Sequence, residues 1–274
     1  VIVWVDGALR APDQRHVSVL DHGFTVGDGV FETLKVVDGV PFALRRHLER
    51  LRTSAHGLGI EAPDADYVRA ACGQVIAAGA EHGRYRLRIT WTAGPGPLGS
   101  DRSGHDHGTL AVVAAPISQP PDSVRLAIAP WVRNERSAVA GLKTTSYAEN
   151  VVALAYARER GADEAVLGNT RGALCEGTGS NVFVVLDGML VTPPLSSGCL
   201  AGITRALVLE WCDAQEQPVE LGALWDAEEV FITSSTRDVM PVSGVDHVDL
   251  AAPGPVTKGV MDTFGWRSQQ QPDP

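Results

Sequence analysis

Lysine is almost missing from this sequence: of 23 lysines and arginines in 274 residues, only Lys35, Lys143 and Lys258 are lysines. Arginine can supply surface charge, but it cannot act as an amine that loses its proton and attacks a carbonyl, because guanidinium stays protonated in proteins. Cysteine is sparse too. Cys72, Cys175, Cys199 and Cys212 form no C-x-x-C pair and no zinc-like spacing, so buried thiols are expected. His105 and His107 lie in GSDRSGHDHGT, a run rich in Gly, Ser and Asp that reads as an exposed loop, and with no third convergent ligand they predict no metal site. No apolar run approaches the roughly 20 residues of a membrane-spanning helix. The opening VIVWVDGALRAPDQ has neither a basic n-region nor a small-residue cleavage site, and a soluble, cytoplasmic protein is expected. G-x-x-x-x-G-K-[ST] does not occur, so no nucleotide is indicated.

With 44% hydrophobic and 20% charged residues, the chain is long enough for one large domain or two medium ones around real cores. Its net charge of -10 and pI near 5.2 argue against nucleic acid or an anionic membrane as the principal partner. Asp-Gly pairs at 28–29 and 38–39 mark expected tight turns. Leu44, Leu48, Leu51 and Ala55 recur at helical spacing, and Gly57 to Gly59 ends that helix. A second helix is expected over DADYVRAACGQVIAAGA. RYRLRITWTAG then alternates as a strand, with Arg84, Arg86, Arg88, Thr90 and Thr92 on one face. APISQPPDSV reads as a linker, which divides the chain into domains at 1–117 and 124–274, joined by 118–123. Beyond it come the strands RLAIAPW, EAVLGN, GALCEG, SNVFVVLDG, MLVTPP and EEVFITSS, and a helix after LAGIT. The tail GWRSQQQPDP is low in complexity and is expected to fray.

Four stretches carry possible chemistry. Lys143 precedes TTSYAENVVALAYARERG, a helical pattern for which Thr144, Thr145 or Ser146 are candidate caps, and a helix N-terminus favours a neutral amine. In LCEGTGSNVFVV, Glu176 stands beside a small, hydroxyl-rich turn. Gly202, Ile203 and Thr204 open an apolar-periodic helix, whose free amides and macrodipole suit an anion. Thr233, Ser234, Ser235 and Thr236 follow an apolar strand and are placed to cap a turn or to donate to a phosphate.

In order, GDGVFET, RRHLERL, a lysine before a helix, EGTGSNVF, LAGITR and TSSTRDVMPV resemble the class IV aminotransferases, the fold-type IV pyridoxal phosphate enzymes. The resemblance runs from about residue 3 to 245. It implies an α+β, two-domain enzyme with a small N-terminal domain, a larger C-terminal domain with a barrel-like sheet, pyridoxal 5'-phosphate in the cleft between them, and a homodimer. Lys143 matches the family's Schiff-base lysine and general base for the α-proton, and Glu176 its carboxylate at the pyridine nitrogen. Arg50, Gly202, Ile203, Thr204, Ser234 and Ser235 match the residues around the phosphate. By the same resemblance Tyr147 either bonds the cofactor's phenolic oxygen or packs against it, and Asn150 supports the helix.

Specificity is expected to come from Phe31, Thr33, Arg88 and Thr236. Phe31 and Thr33 alternate around Glu32 and point one strand face at the pocket. Arg88, six residues before Gly94, is either a substrate-carboxylate anchor or one member of an arginine-rich strand face. D-amino acid transaminases typically carry arginine directly before the glycine, where this chain has Ala93. The wording and compact length are most similar to aminodeoxychorismate lyases, which make p-aminobenzoate and pyruvate. An aminotransferase of branched-chain or broad specificity is the alternative, and a cofactor-binding homologue without catalysis a third reading.

Overall fold

The computed structural model describes residues 1–103 and 107–274, which form two compact units. The first contains Val1–Gln119 together with Leu142–Ser146 and Gln271–Pro274; the second contains Pro120–Gly141 and Tyr147–Gln270. Neither unit is a single stretch of chain, and Lys143 belongs to the first.

In the first unit, β1 (Ile2–Val5), β2 (Ala8–Arg10), β3 (Gly29–Val37), β4 (Val40–Pro41), β5 (Arg84–Thr92) and β6 (Thr109–Pro116) form one antiparallel sheet in the order β2-β1-β6-β5-β3-β4. The short helix α1 (His22–Thr25) precedes β3. Two longer helices, α2 (Leu44–Leu58) and α3 (Ala65–Ala77), cover the sheet. The helical period places Leu44, Leu48, Leu51 and Ala55 on the buried stripe of α2, against Val30, Leu34, Val36, Leu87 and Ile89. Gly59, at φ 75°, closes α2 in the left-handed conformation that glycine adopts without strain. Asp38 and Gly39 (φ 46° and 80°) make the expected tight turn between β3 and β4. Asp28-Gly29 makes none: Gly29 is the first residue of β3.

The second unit contains β7 (Val124–Arg133), α4 (Ala148–Glu159), β8 (Glu164–Asn169), β9 (Leu174–Gly177), β10 (Asn181–Leu186), β11 (Met189–Thr192), α5 (Ile203–Trp211), β12 (Gln215–Glu216), β13 (Glu229–Ser234), β14 (Asp238–Val245), β15 (Val248–Asp249) and α6 (Pro255–Gln270). Nine of these are strands of one mixed sheet, ordered β12-β11-β10-β13-β14-β7-β8-β9 with β15 added to β14. β7 runs parallel to both β14 and β8. Val182, Val184, Val230, Ile232, Met240 and Val242 make the core on one sheet face. On the other, Phe183 stacks on Phe231 at 4.8 Å, and α5 and α6 pack over β13. Glu229, buried, accepts the Val256 and Thr257 N–H groups at 2.9 and 2.7 Å and so completes the start of α6.

The C-terminal residues do not fray. Thr257, Val260 and Phe264 are the buried side of α6, a stripe too thin among Gly259, Gly265 and polar residues to read from periodicity. After it the chain docks on α2. Ala43 N–H donates to Pro272 O at 2.7 Å, and Arg45 N–H donates to the Asp273 carboxylate at 2.9 Å. Helix α2 has no side-chain cap of its own at Ala43, so Asp273 does from a distance what an N-cap residue does locally. Asp273→Ala is therefore expected to cost about 1 kcal/mol, read as a lower urea midpoint with faster amide exchange in the first turn of α2.

Candidate functional site

Residues 142–146 join the first unit through main-chain pairing. Phe31 N–H donates to Lys143 O at 3.0 Å, Thr145 N–H donates to Gly29 O at 2.8 Å, and Val30 bridges Thr144. The glycines at the start of β3 make this possible. A Cβ on Gly27 would lie 2.5 Å from Ser146 Oγ, and one on Gly29 would lie 2.9 Å from Trp91 O and 3.2 Å from Thr145 Oγ1. Helix α2 holds the other side, where Lys143 N–H donates to the buried Ser54 Oγ at 3.1 Å. The expected caps take different work. Tyr147 is the N-cap residue of α4, without a side-chain cap bond, while the Thr145 and Ser146 hydroxyls donate to Gly27 O. Pairing with β3 wins over capping because it satisfies backbone and hydroxyl groups together.

The Phe31 ring gathers two cations. Lys143 Nζ lies 4.4 Å from its centroid and the Arg88 guanidinium carbon 3.8 Å. Thr33 faces Arg88 across the β3–β5 register, so Phe31, Thr33 and Arg88 share a sheet face. Glu32 points to the opposite, apolar face and is fully buried. There Arg50 grips it with Nε at 2.8 Å and Nη2 at 2.7 Å, and His47 Nδ1 lies 2.6 Å away. Burial alone would raise this carboxyl, but Arg50 and His47 outweigh it and bring it down to about 2. Burial pushes His47 below its ordinary value. The motif RRHLERL points to Arg50 but not to its partners Glu32 and His47. The signal was a carboxylate in the apolar alternation of Val30, Leu34 and Val36, which demands a buried cation.

In the second unit Glu176 is the residue before the last of β9. Its Oε1 accepts from Arg133 Nε at 3.1 Å and its Oε2 from Leu200 N–H at 2.9 Å. Arg133 also donates to Asn150 Oδ1, and Asn150 Nδ2 donates to Thr178 O. Asn181 donates to Leu200 O at 2.8 Å, and a Cβ on Gly202 would fall on Asn181 Oδ1. That contact seats the start of α5, which has Gly202 as N-cap and no side-chain cap, with Ile203 and Thr204 buried. Thr233, opposite Asn181 in the β10–β13 register, has a buried Oγ1 with no hydrogen-bond partner. Among the described residues, then, the start of α5 lacks a side-chain cap and the Thr233 hydroxyl lacks a partner, and an oxyanion is a group that either could bind. Ser235, Thr236 and Arg237 lie between β13 and β14, and Arg237 Nε reaches Ser234 Oγ at 3.2 Å.

The remaining polar and sulfur residues lie as follows. Cys72, Cys175 and Cys199 are buried and Cys212 half-buried; burial lifts the Cys72 thiol to about 12. His107 is exposed, and His105 lies outside the described residues. Among the described residues no group of three metal-ligating side chains gathers, and no helix is long and apolar enough to cross a membrane.

The family model described as "Amino-transferase class IV" matches residues 29–245. The chain is 34% identical to a candidate branched-chain-amino-acid aminotransferase of Methanocaldococcus jannaschii, over 96% of this chain and 94% of the relative. It is 30% identical to a D-alanine aminotransferase of Bacillus licheniformis, over 94% of each. Among solved structures, a branched-chain aminotransferase from Thermoproteus uzoniensis superposes with a TM-score of 0.91 at 29% identity, over 99% of this chain and 97% of that one. A candidate 4-amino-4-deoxychorismate lyase from Legionella pneumophila gives 0.87 at 27% identity, over 93% and 96%.

The buried Glu32 cluster generates a stability prediction. Its carboxyl is held near 2 in the folded state against an ordinary 4.5, so the unfolded chain takes up the proton first. The stabilisation is complete above the unfolded value and is lost as pH falls through about 2. Glu32→Gln is expected to cost about 3–5 kcal/mol near neutrality and to flatten the acid limb of a urea-midpoint-against-pH profile.

Proposed function

The chain is a class IV aminotransferase, an α+β fold-type IV enzyme dependent on pyridoxal 5'-phosphate, and on that premise we propose that it passes the amino group of a small amino acid to a 2-oxo acid. The observation that carries this reading is the pairing of Lys143 and Arg88 around one ring, Phe31: an amine for proton transfer beside a guanidinium for a carboxylate. When bound, the cofactor supplies an aldehyde carbon for amines and an electron sink for the pair left by a departing α-proton.

The residues fit that group. Lys143 is the amine that would hold the aldehyde carbon, and its Nζ would serve as the base that moves the substrate Cα proton. Arginine cannot do this, which accounts for a lysine at 143. Glu176, anchored by Arg133 and Leu200 N–H, is an acceptor suited to holding a proton on the pyridine nitrogen. Ile203 and Thr204 amides with the Ser235 hydroxyl would bind the phosphate, with Arg50, locked by Glu32, lending positive charge. Tyr147 would border the ring. Phe31, Thr33 and Thr236 would bound the substrate, whose carboxylate Arg88 receives.

Branched-chain specificity draws support from the relatives' names, and Ala93 in place of arginine weighs against D-amino acids. Lyase action on 4-amino-4-deoxychorismate is a second reading, favoured by the likeness to the Legionella structure. A homodimer is also proposed, because Val19, Phe24 and Leu98 of the first unit are 73%, 73% and 78% exposed, an apolar surface of the kind a second copy covers.

Two assays on the pyridoxal-phosphate-loaded enzyme separate the readings. L-leucine, L-isoleucine and D-alanine are each supplied with 2-oxoglutarate while glutamate is followed; 4-amino-4-deoxychorismate is supplied alone while p-aminobenzoate and pyruvate are followed. Lys143-dependent glutamate from the branched-chain donors is expected, with Arg88→Gln raising KM about 10- to 100-fold, the loss of a charge-assisted hydrogen bond. Release of p-aminobenzoate without any oxo-acid-dependent turnover would replace this reading with the lyase. Sedimentation equilibrium is expected to give a dimer mass.

A further inference from the structure

Glu164, the first residue of β8, is a carboxylate at 3% exposure that is given no role at the site above. Its acceptor capacity is divided between two turns, the β9–β10 connection and the tip of the β13–β14 hairpin. Oε1 takes Gly179 N–H at 2.7 Å and Ser180 Oγ at 2.8 Å, both from the turn between β9 and β10. Oε2 lies 2.6 Å from Arg237 Nη2, at the tip between β13 and β14. Arg237 reaches back from there to Ser234 Oγ. The sequence around both turns accommodates this arrangement. A Cβ on Gly177 would come within 2.6 Å of Glu164 Oε1, so glycine there clears space for the carboxylate. At the second turn Asp238 adopts φ 56°, which turns the chain immediately after Arg237.

We propose that Glu164 and Arg237 form a clasp whose role is to position the Ser234–Thr236 turn for phosphate, so that Arg237 is a positioning residue of the cofactor site. The proposal rests on the reading that Ser235 and the start of α5 hold the phosphate. One carboxylate fixes the turn that follows Glu176 and, through Arg237, the tip that carries Ser235. The pair is connected further: Thr178 O accepts from Asn150, which contacts Arg133, the partner of Glu176. Across the Thr178–Gly179 peptide these bonds connect Glu176 with Glu164, and Glu164 connects through Arg237 with the Ser234 hydroxyl. Removing Arg237 leaves Glu164 buried beside amide and hydroxyl donors only, and releases Ser234 from its one charged partner at the tip.

The test measures affinity of the apo-protein for pyridoxal 5'-phosphate and, separately, for inorganic phosphate, in Arg237→Gln, Arg237→Lys, Glu164→Gln, the Glu164→Gln/Arg237→Gln double variant and Ser235→Ala. Urea midpoints are recorded alongside. Arg237→Gln and Glu164→Gln are each expected to raise both dissociation constants about tenfold, one charge-assisted hydrogen bond's worth. The double variant should be no worse than either single change, and Arg237→Lys should recover part of the loss while remaining fully folded. A merely structural pair would lower the urea midpoint and leave phosphate affinity untouched, which overturns the proposal. Single effects that multiply in the double variant overturn it as well. If Ser235→Ala leaves both constants unchanged, the phosphate assignment itself fails; if it weakens them while Arg237→Gln and Arg237→Lys do not, only the clasp fails.

Discussion

The antiparallel pairing of residues 143–145 with the start of β3 is the constraint on which the candidate chemistry depends. A lysine side chain is long and flexible, and its amine is only as well placed as its own backbone. Here that backbone is held on one side by Phe31 and Gly29 and on the other by Ser54 of α2. Helix α2 in turn is tied to β3 through Glu32 and capped by Asp273. Displacing any of these moves Lys143 relative to Phe31 and Arg88, and proton transfer is sensitive to shifts of that size.

Three buried glutamates organise the molecule in the same way. Glu32 gathers Arg50 and His47, Glu164 gathers two inter-strand turns, and Glu229 receives the first amides of α6. Each stands on a strand, in an apolar neighbourhood where an ionised group is expensive without partners. A buried charge contributes little net stability over an apolar replacement. What it adds is directionality: a carboxylate accepts only along defined lines, so each glutamate selects one arrangement of the loops or helix around it.

Much of the fold could be read from local pattern. Leu44, Leu48, Leu51 and Ala55 define α2 by spacing alone, and β5, β8, β10 and β13 follow from alternation or apolar runs bounded by turn residues. The failures share one cause. Asp28-Gly29 has the letters of a hairpin turn, yet Gly29 is glycine because Thr145 and Trp91 O crowd it. The hydroxyls at 145 and 146 have the letters of helix caps, yet they bond Gly27 O. The tail is polar and low in complexity, yet it caps a helix more than two hundred residues earlier in the chain. In each case a partner distant in sequence fills a role that the local residues suggest differently. The site divides the same way: Lys143 and Glu176 stand out by residue type and setting, whereas Ser54, His47, Arg133 and Arg237 acquire meaning only from what they touch.

Specificity is the level at which sequence and fold both thin out. The same scaffold is shared by relatives named for branched-chain amino acids, for D-alanine and for 4-amino-4-deoxychorismate, so the fold cannot choose between them. The side chains proposed to make the choice are few: Arg88 stacked on Phe31, Thr33 opposite Arg88, and Ala93. Arg88 lies with the face of its guanidinium on the Phe31 ring and donates its Nε to Thr90 Oγ1 at 3.2 Å. Arg50, by contrast, is committed to Glu32 through its fork. The two arginines are thus held differently, Arg50 through its fork by a buried carboxylate and Arg88 face-on by a ring, and the difference follows from what each one is packed against.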